Sequence, residues 1–188
     1  MQCKRWTGGL ANLVLGGVAI ALAFANVRVA GAHDWWYWHW HTGTDIETWV
    51  GGQYRSVYDD VLYEWDKKTS VSSPRAGHSE MSVFDGDYGP TGWGGLASIE
   101  QKSYDWYHRW DYSKVEHCHA RVNLYYRSYW TTDDIRGIQC QEVGHCLGLT
   151  HSNDGCMGKS YYNDLNHVSS HSAEDVNRRF AAGPLKTP

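Results

Sequence analysis

The chain has 188 residues, of which 41% are hydrophobic and 20% are charged, and its formal net charge is −4. This length fits one globular domain with or without a leader, and leaves no room for two large domains. The charged and aromatic content excludes a wholly disordered chain.

The first 32 residues have the pattern of a secretory signal peptide. The pair Lys4-Arg5 precedes an apolar stretch from Leu10 to Phe24, and Ala30-Gly31-Ala32 offers a small-residue cleavage site. The alternative is a membrane anchor, but a spanning helix needs about 20 apolar residues, and this stretch is shorter and contains Asn12. We therefore expect a secreted, extracellular protein made of residues 33–188, with no stable membrane association.

Removal of this leader makes the chain more acidic. Residues 1–32 hold three basic side chains and no acidic one, so the formal net charge changes from −4 to −7. A protein that binds nucleic acid by neutralising its phosphates carries the opposite charge. We therefore exclude a nucleic-acid partner.

Four cysteines stay in the mature chain after the leader is removed. An even number of cysteines in an exported chain predicts two disulfides, and four cysteines allow three pairings. A zinc site made of four thiolates is disfavoured because the spacing contains no C-x2-C pair. The four positions are Cys118, Cys140, Cys146 and Cys156.

Hydrophobic patterning predicts a mixture of strands and helices along the mature chain. The aromatic cluster His33–His41 is typical of an extended segment. Helical spacing of apolar residues predicts a helix over Tyr54–Thr69. Alternating residues predict strands at Glu80–Phe84 and His117–Tyr126, and a glycine-rich loop, Gly86–Gly95, lies between them.

Two further helices are predicted in the last third of the chain. Thr131 and Asp134 resemble a capping box, so a helix should begin there and stop at Gly148. A final short helix should begin near Ser172.

The segment QEVGHCLGLTH, residues 141–151, has the residue types of a metal site. On a helix, Gln141 and His145 are four positions apart and face the same way, so a metal can bind across them. Glu142 is offset by one residue, and Gly148 permits a sharp exit that returns His151 as a third ligand. A zinc ion with three protein ligands polarises a water, whose proton a neighbouring carboxylate takes. The alternative is an ordinary amphipathic helix with two incidental histidines.

This segment resembles the metzincin metallopeptidases, whose pattern is H-E-x-x-H-x-x-G-x-x-H followed by a methionine turn. The serine after the third ligand and the glycine-rich segment resemble the matrixin branch. The resemblance implies an α+β single domain with a twisted mixed sheet, an early helix, an active-site helix and a short carboxy-terminal helix. It also implies hydrolysis of internal peptide bonds with Zn²⁺ as cofactor, and an apolar floor beneath the metal. The matching residues are Glu142, His145, Gly148, His151 and Met157.

One position departs from the family pattern. Gln141 stands where the metzincins have their first histidine, and an amide oxygen is a weaker zinc ligand than a neutral imidazole. Either Gln141 binds zinc through this oxygen, or another group replaces it, or the chain is a non-catalytic relative. We expect a working peptidase, because Glu142 and the methionine turn are both present.

The positions of the cysteines relative to this motif favour one disulfide pairing. Cys140 lies just before the motif and Cys156 just before Met157, so a bridge between them would join the active-site helix to the methionine turn. Cys118, on the preceding strand, could then reach Cys146. We therefore favour Cys140–Cys156 with Cys118–Cys146.

Other residues support different hypotheses. Asp85 and Asp87 carry the hard oxygens that Ca²⁺ prefers, although a polar turn is the simpler explanation. Cleavage after Ala32 would make His33 the first residue, which resembles the copper-dependent polysaccharide monooxygenases. A further alternative is an inactive metzincin scaffold whose aromatic surface binds polymer or peptide. Among these we expect a monomeric zinc peptidase that acts on a protein or peptide.

Overall fold

The structure is a computed structural model that describes residues 38–40, 43–104, 113–158 and 166–181. Within these ranges the chain forms a mixed five-stranded sheet and three α-helices. This arrangement confirms the predicted α+β class. The predicted leader and His33 lie outside the described residues.

The central strand of the sheet is β5 (Ser113–Asn123). On one edge it pairs in parallel with β3 (Met81–Gly86) and, at its start, with β1 (Trp38–Trp40). On its other edge it pairs antiparallel with β4 (Gly95–Tyr104), and β2 (Thr48–Val50) extends the sheet beyond β3. No strand within the described ranges pairs with the outer edge of β4, which is therefore an edge strand.

The three helices lie close to where the sequence predicts them. Helix α1 (Arg55–Lys68) matches the prediction to within one residue at each end. Helix α2 (Thr132–Cys146) begins with the predicted capping box, in which the Thr131 side chain and Asp134 bond each other's backbone. It packs against β4, β5 and α1. Helix α3 (Ser170–Ala181) starts two residues before the predicted start.

The end of the central strand differs from the prediction. The predicted strand continued to Tyr126, but β5 ends at Asn123, and Leu124–Tyr129 form a 3-10 helix. The Asn123 side chain accepts a hydrogen bond from the Tyr125 backbone N–H at 3.1 Å, which turns the chain out of the strand. The hydrophobic patterning predicted neither the three-residue strand β2 nor the ten-residue strand β4.

Both favoured disulfides are confirmed. Cys118–Cys146 joins β5 to the last residue of α2, and Cys140–Cys156 joins the middle of α2 to the 3-10 turn Gly155–Met157. The helices and the sheet share one hydrophobic core, to which α2 contributes Ile135, Ile138 and Val143. None of the three described helices has the length and apolarity of a membrane span.

Candidate metal centre

Gly148 ends α2 and turns the chain back toward the helix. Its φ angle is +89°, in the left-handed region that favours glycine. The Leu149 N–H donates to the Gly144 carbonyl at 3.0 Å and the Gly148 N–H donates to the His145 carbonyl at 2.9 Å. These two bonds form a Schellman motif. The reversal returns His151 to the helix, as the spacing predicted.

The rings of His145 and His151 lie together at this exit. Their centroids are 4.8 Å apart and their planes are inclined by 76°. His145 is 5% exposed, and its Nδ1 lies 2.8 Å from the Leu149 carbonyl. Because a carbonyl only accepts, Nδ1 carries the hydrogen, and Nε2 is the nitrogen that can bind a metal.

Burial and the neighbouring ring keep His145 neutral. Burial, together with the nearby His151, lowers the pKa of His145 to about 4, while the bond to Leu149 opposes the shift. A neutral imidazole is the form that ligates zinc. His151 also lines a cavity of about 800 Å³ between residues 148–154 and α3.

Gln141 lies one helical turn before His145 and is 6% exposed. Its Nε2 donates to the Gly158 carbonyl at 3.0 Å. The reversed amide would place two oxygen atoms against each other, so this bond fixes which branch of the amide carries the oxygen. The side chain is therefore held in one orientation, in which Oε1 is the atom that can bind a cation.

Among the described residues, this centre offers a zinc ion two imidazoles and, one helical turn before His145, the amide oxygen of Gln141. Among the residues that the structure describes, no three His, Cys, Asp or Glu side chains come together in a metal-holding group. Among these residues a third protein ligand beside His145 and His151 would therefore be of another type, and the amide oxygen of Gln141 is the predicted one. Two imidazoles and one oxygen are donor types that zinc accepts.

Glu142 is buried against the edge strand and has an unusual pKa. It is 5% exposed, and its carboxylate accepts a hydrogen bond from the Ala97 backbone. Burial raises its pKa to about 8, although this hydrogen bond and the charge of Arg121 oppose the rise. A carboxyl group with a pKa near neutrality can both take and return a proton.

Met157 lies directly under α2 in the turn that follows His151. A β-carbon built on Gly144 would lie 2.3 Å from the Met157 Sδ, so the absence of a side chain at Gly144 lets the methionine approach the helix. The Ser152 N–H donates to the Met157 carbonyl at 2.7 Å, which ties the turn to the residue after His151. Met157 is 1% exposed, as expected for an apolar floor.

Asp85 and Asp87 have hydrogen-bond donors from the protein itself. The Asp85 carboxylate accepts from the backbone N–H groups of Gln53 and Tyr54 at 3.0 and 2.9 Å and from the Tyr58 hydroxyl at 2.8 Å. It therefore holds the start of α1. Asp87 accepts from the Gly89 N–H at 2.9 Å, the bond of a polar turn. Calcium at these residues stays a prediction.

Sequence reasoning missed several groups that position the centre. The Trp40 indole N–H donates to the Cys146 carbonyl at 3.0 Å, and the Trp65 indole donates to the Cys140 carbonyl at 3.3 Å. Asn123, fully buried, donates to the Gly89 and Trp93 carbonyls at 3.0 and 3.3 Å. A lone asparagine at the end of an apolar strand was the only signal in the sequence for this last group.

Comparison with known proteins does not assign the chain to a family. A scan against protein-family models finds no match, and a search of curated proteins finds no significant match.

Proposed function

We propose that this chain is a secreted zinc metalloendopeptidase of the metzincin type. Gln141, His145 and His151 would hold the metal. The observation that carries the proposal is the approach of the two histidine rings, 4.8 Å apart, at the exit of the helix that bears Glu142. This arrangement brings two of the three predicted ligands together, whereas an ordinary amphipathic helix gives no reason for the chain to return a second imidazole to its end.

The residues around the ligands prepare them for a metal. The Leu149 carbonyl fixes the tautomer of His145, and the Gly158 carbonyl fixes the amide of Gln141. A zinc ion bound there would polarise the substrate carbonyl and acidify the attacking water. Met157 closes the centre from below and takes no part in proton transfer.

Glu142 is suited to move the proton. A carboxylate oxygen of Glu142 takes one proton from the attacking water and then gives it to the nitrogen of the leaving amine. Its burial excludes competing water from the carboxyl while the carboxyl carries the proton. The Ala97 N–H holds the carboxyl against the edge of the sheet.

The edge strand favours an extended peptide as the substrate. The Asn123 N–H donates to the Gly94 carbonyl at 2.8 Å, so the register turns the N–H and carbonyl of Ala97 away from β5. The N–H bonds the Glu142 carboxylate, and the carbonyl faces the unpaired edge of β4. A peptide that added a strand along this edge would bring an internal bond close to the general base.

The disulfides support export of the protein. Two disulfides, Cys118–Cys146 and Cys140–Cys156, join elements of the core. Disulfides of this kind persist in oxidising compartments and are rare in the cytosol. This agrees with a secretory leader and a protein that acts outside the cell.

Turnover of a quenched fluorescent peptide library tests the proposal. The leader-free protein should cleave internal peptide bonds, and Glu142→Gln should lower kcat by about 10²–10⁴-fold with zinc content unchanged. If wild type and Glu142→Gln bind peptides equally and neither cleaves them, the chain is a binding module. Copper instead of zinc in the purified wild-type protein would favour the monooxygenase alternative.

A further inference from the structure

We propose that Gly95, the first residue of β4, is a positioning residue for Glu142. The absence of a side chain at Gly95 leaves the space in which the Glu142 carboxylate lies. This inference rests on the proposed role of Glu142 as the general base. It adds the residue that would position the Glu142 carboxylate.

The Glu142 carboxylate fills the space beside Gly95. A β-carbon built on Gly95 would lie 2.3 Å from Glu142 Oε1, 2.8 Å from Glu142 Cδ and 2.6 Å from Ile138 Cγ2. Each of these distances is far below van der Waals contact. The φ angle of Gly95 is not in the left-handed region, so its backbone conformation does not call for glycine. The requirement at this position is one of space.

A hydrogen bond holds the carboxylate in the same place from a second residue. The Ala97 N–H, which the register of β4 turns away from β5, donates to the Glu142 carboxylate. Gly95 and Ala97 are two positions apart on β4 and share one side of the strand. Together they form a niche, made of the space at Gly95 and the N–H at Ala97, that receives the Glu142 carboxylate.

Asn123 fixes the position of this niche relative to the end of β5. Its backbone N–H donates to the Gly94 carbonyl at 2.8 Å, and its side chain donates to the Trp93 carbonyl at 3.3 Å. The residues directly before Gly95 are therefore tied to the end of β5. Because Asn123 is fully buried, this anchor is protected from water.

Substitution of Gly95 should move the base without unfolding the protein. The atoms that an added methyl group would meet are the ends of the Glu142 and Ile138 side chains, which can rotate. Gly77→Ala is the matched control, because a β-carbon at Gly77 would meet nothing within 4 Å. Gly95→Ala should therefore fold, with its Glu142 carboxylate displaced from Ala97.

Amide hydrogen exchange tests the niche without any need for peptidase activity. The Ala97 amide should exchange about tenfold faster or more in Gly95→Ala and in Glu142→Ala than in wild type, because each loses the same hydrogen bond. The Leu96 amide, which the register directs at Arg121, should stay protected in all of them. Gly77→Ala should match wild type. An unchanged Ala97 rate in Gly95→Ala would overturn the proposal.

Steady-state kinetics then tests the consequence for the base. Gly95→Ala should lower kcat about tenfold or more with KM and zinc content unchanged, and should have no further effect in a Glu142→Ala background. A wild-type kcat in Gly95→Ala, despite faster Ala97 exchange, would overturn the positioning role. If wild type cleaves no peptide, the proposed function fails, and the exchange rates alone decide whether Gly95 places the Glu142 carboxylate.

Discussion

Gln141 and Gly158 are joined by a hydrogen bond of 3.0 Å from the side-chain amide to the backbone carbonyl. This bond crosses from α2 to the residue just after the Met157 turn. On the proposed assignment Gln141 would have two tasks, because its amide nitrogen holds the turn while its amide oxygen would bind the metal.

Gln141→Leu removes both groups at nearly constant volume. We expect the free energy of unfolding to fall by about 1–3 kcal/mol, because the buried Gly158 carbonyl loses its donor. Zinc affinity should fall at least about tenfold. Gln139→Leu is the matched control, since Gln139 is also buried and donates to the Ala120 carbonyl at 3.2 Å. That variant should lose stability with zinc affinity unchanged; equal loss of affinity would contradict the assignment.

Gly144→Ala should destabilise the protein although alanine is the better helix former. The gain in helix propensity is about 1 kcal/mol. The added methyl group would lie 2.3 Å from the Met157 sulfur and 3.1 Å from the Trp65 ring, and such overpacking costs about 1–3 kcal/mol. Urea unfolding should therefore show a net loss of stability, whereas Gly77→Ala should not. A stabilised Gly144→Ala would refute the close packing of Met157 on α2.

Removal of the Cys140–Cys156 disulfide should loosen the turn under the metal centre. The bridge closes a segment of sequence separation 16, so replacing both cysteines by alanine should cost about 3 kcal/mol. Zinc affinity should fall with it, because the turn carries Met157 and leads to Gly158. The double alanine variant at Cys118 and Cys146 is the comparison. We expect it to lose a similar amount of stability but less zinc affinity. Equal zinc affinity in wild type and the first variant would argue against this role.

Glu64 should make stability depend on pH. Burial opposes its ionisation, but hydrogen bonds from Lys68, Arg136 and the Val168 backbone outweigh burial and lower its pKa below 4.5. Ionised Glu64 therefore stabilises the folded state above pH 4.5, and this contribution is lost as the pH falls through the folded-state pKa. Glu64→Gln should be less stable than wild type at pH 7, and urea unfolding should show the difference shrinking below pH 4.5. A difference that is constant with pH would contradict this.

Local signals explain why much of α2 and its exit could be predicted from sequence. The Thr131–Asp134 capping box and the glycine at position 148 are local sequence features, and the structure has both. The disulfide pairing followed from the positions of the cysteines relative to the same helix. Each of these features depends on residues that are close together in the chain or on a known element.

The niche at Gly95 and the anchor at Asn123 depend on long-range contacts instead. Asn123 bonds backbone groups about 30 residues away, and Gly95 meets Glu142 only because β4 folds beside α2. The sequence pattern predicted a glycine-rich loop that ended at Gly95 and a strand that continued past Asn123. A glycine that is required for space looks the same in the sequence as a glycine that is required for a turn. The role of Gly95 could therefore not be predicted from the sequence.

Zinc content of the purified, leader-free protein tests the central claim most directly. Elemental analysis should find one zinc per chain in wild type, and the metal should be lost in His145→Ala and His151→Ala and kept in Glu142→Gln. No zinc in wild type, with zinc bound by Gln141→His, would contradict the account, because it would mean that the histidine pair and Gln141 do not suffice as ligands.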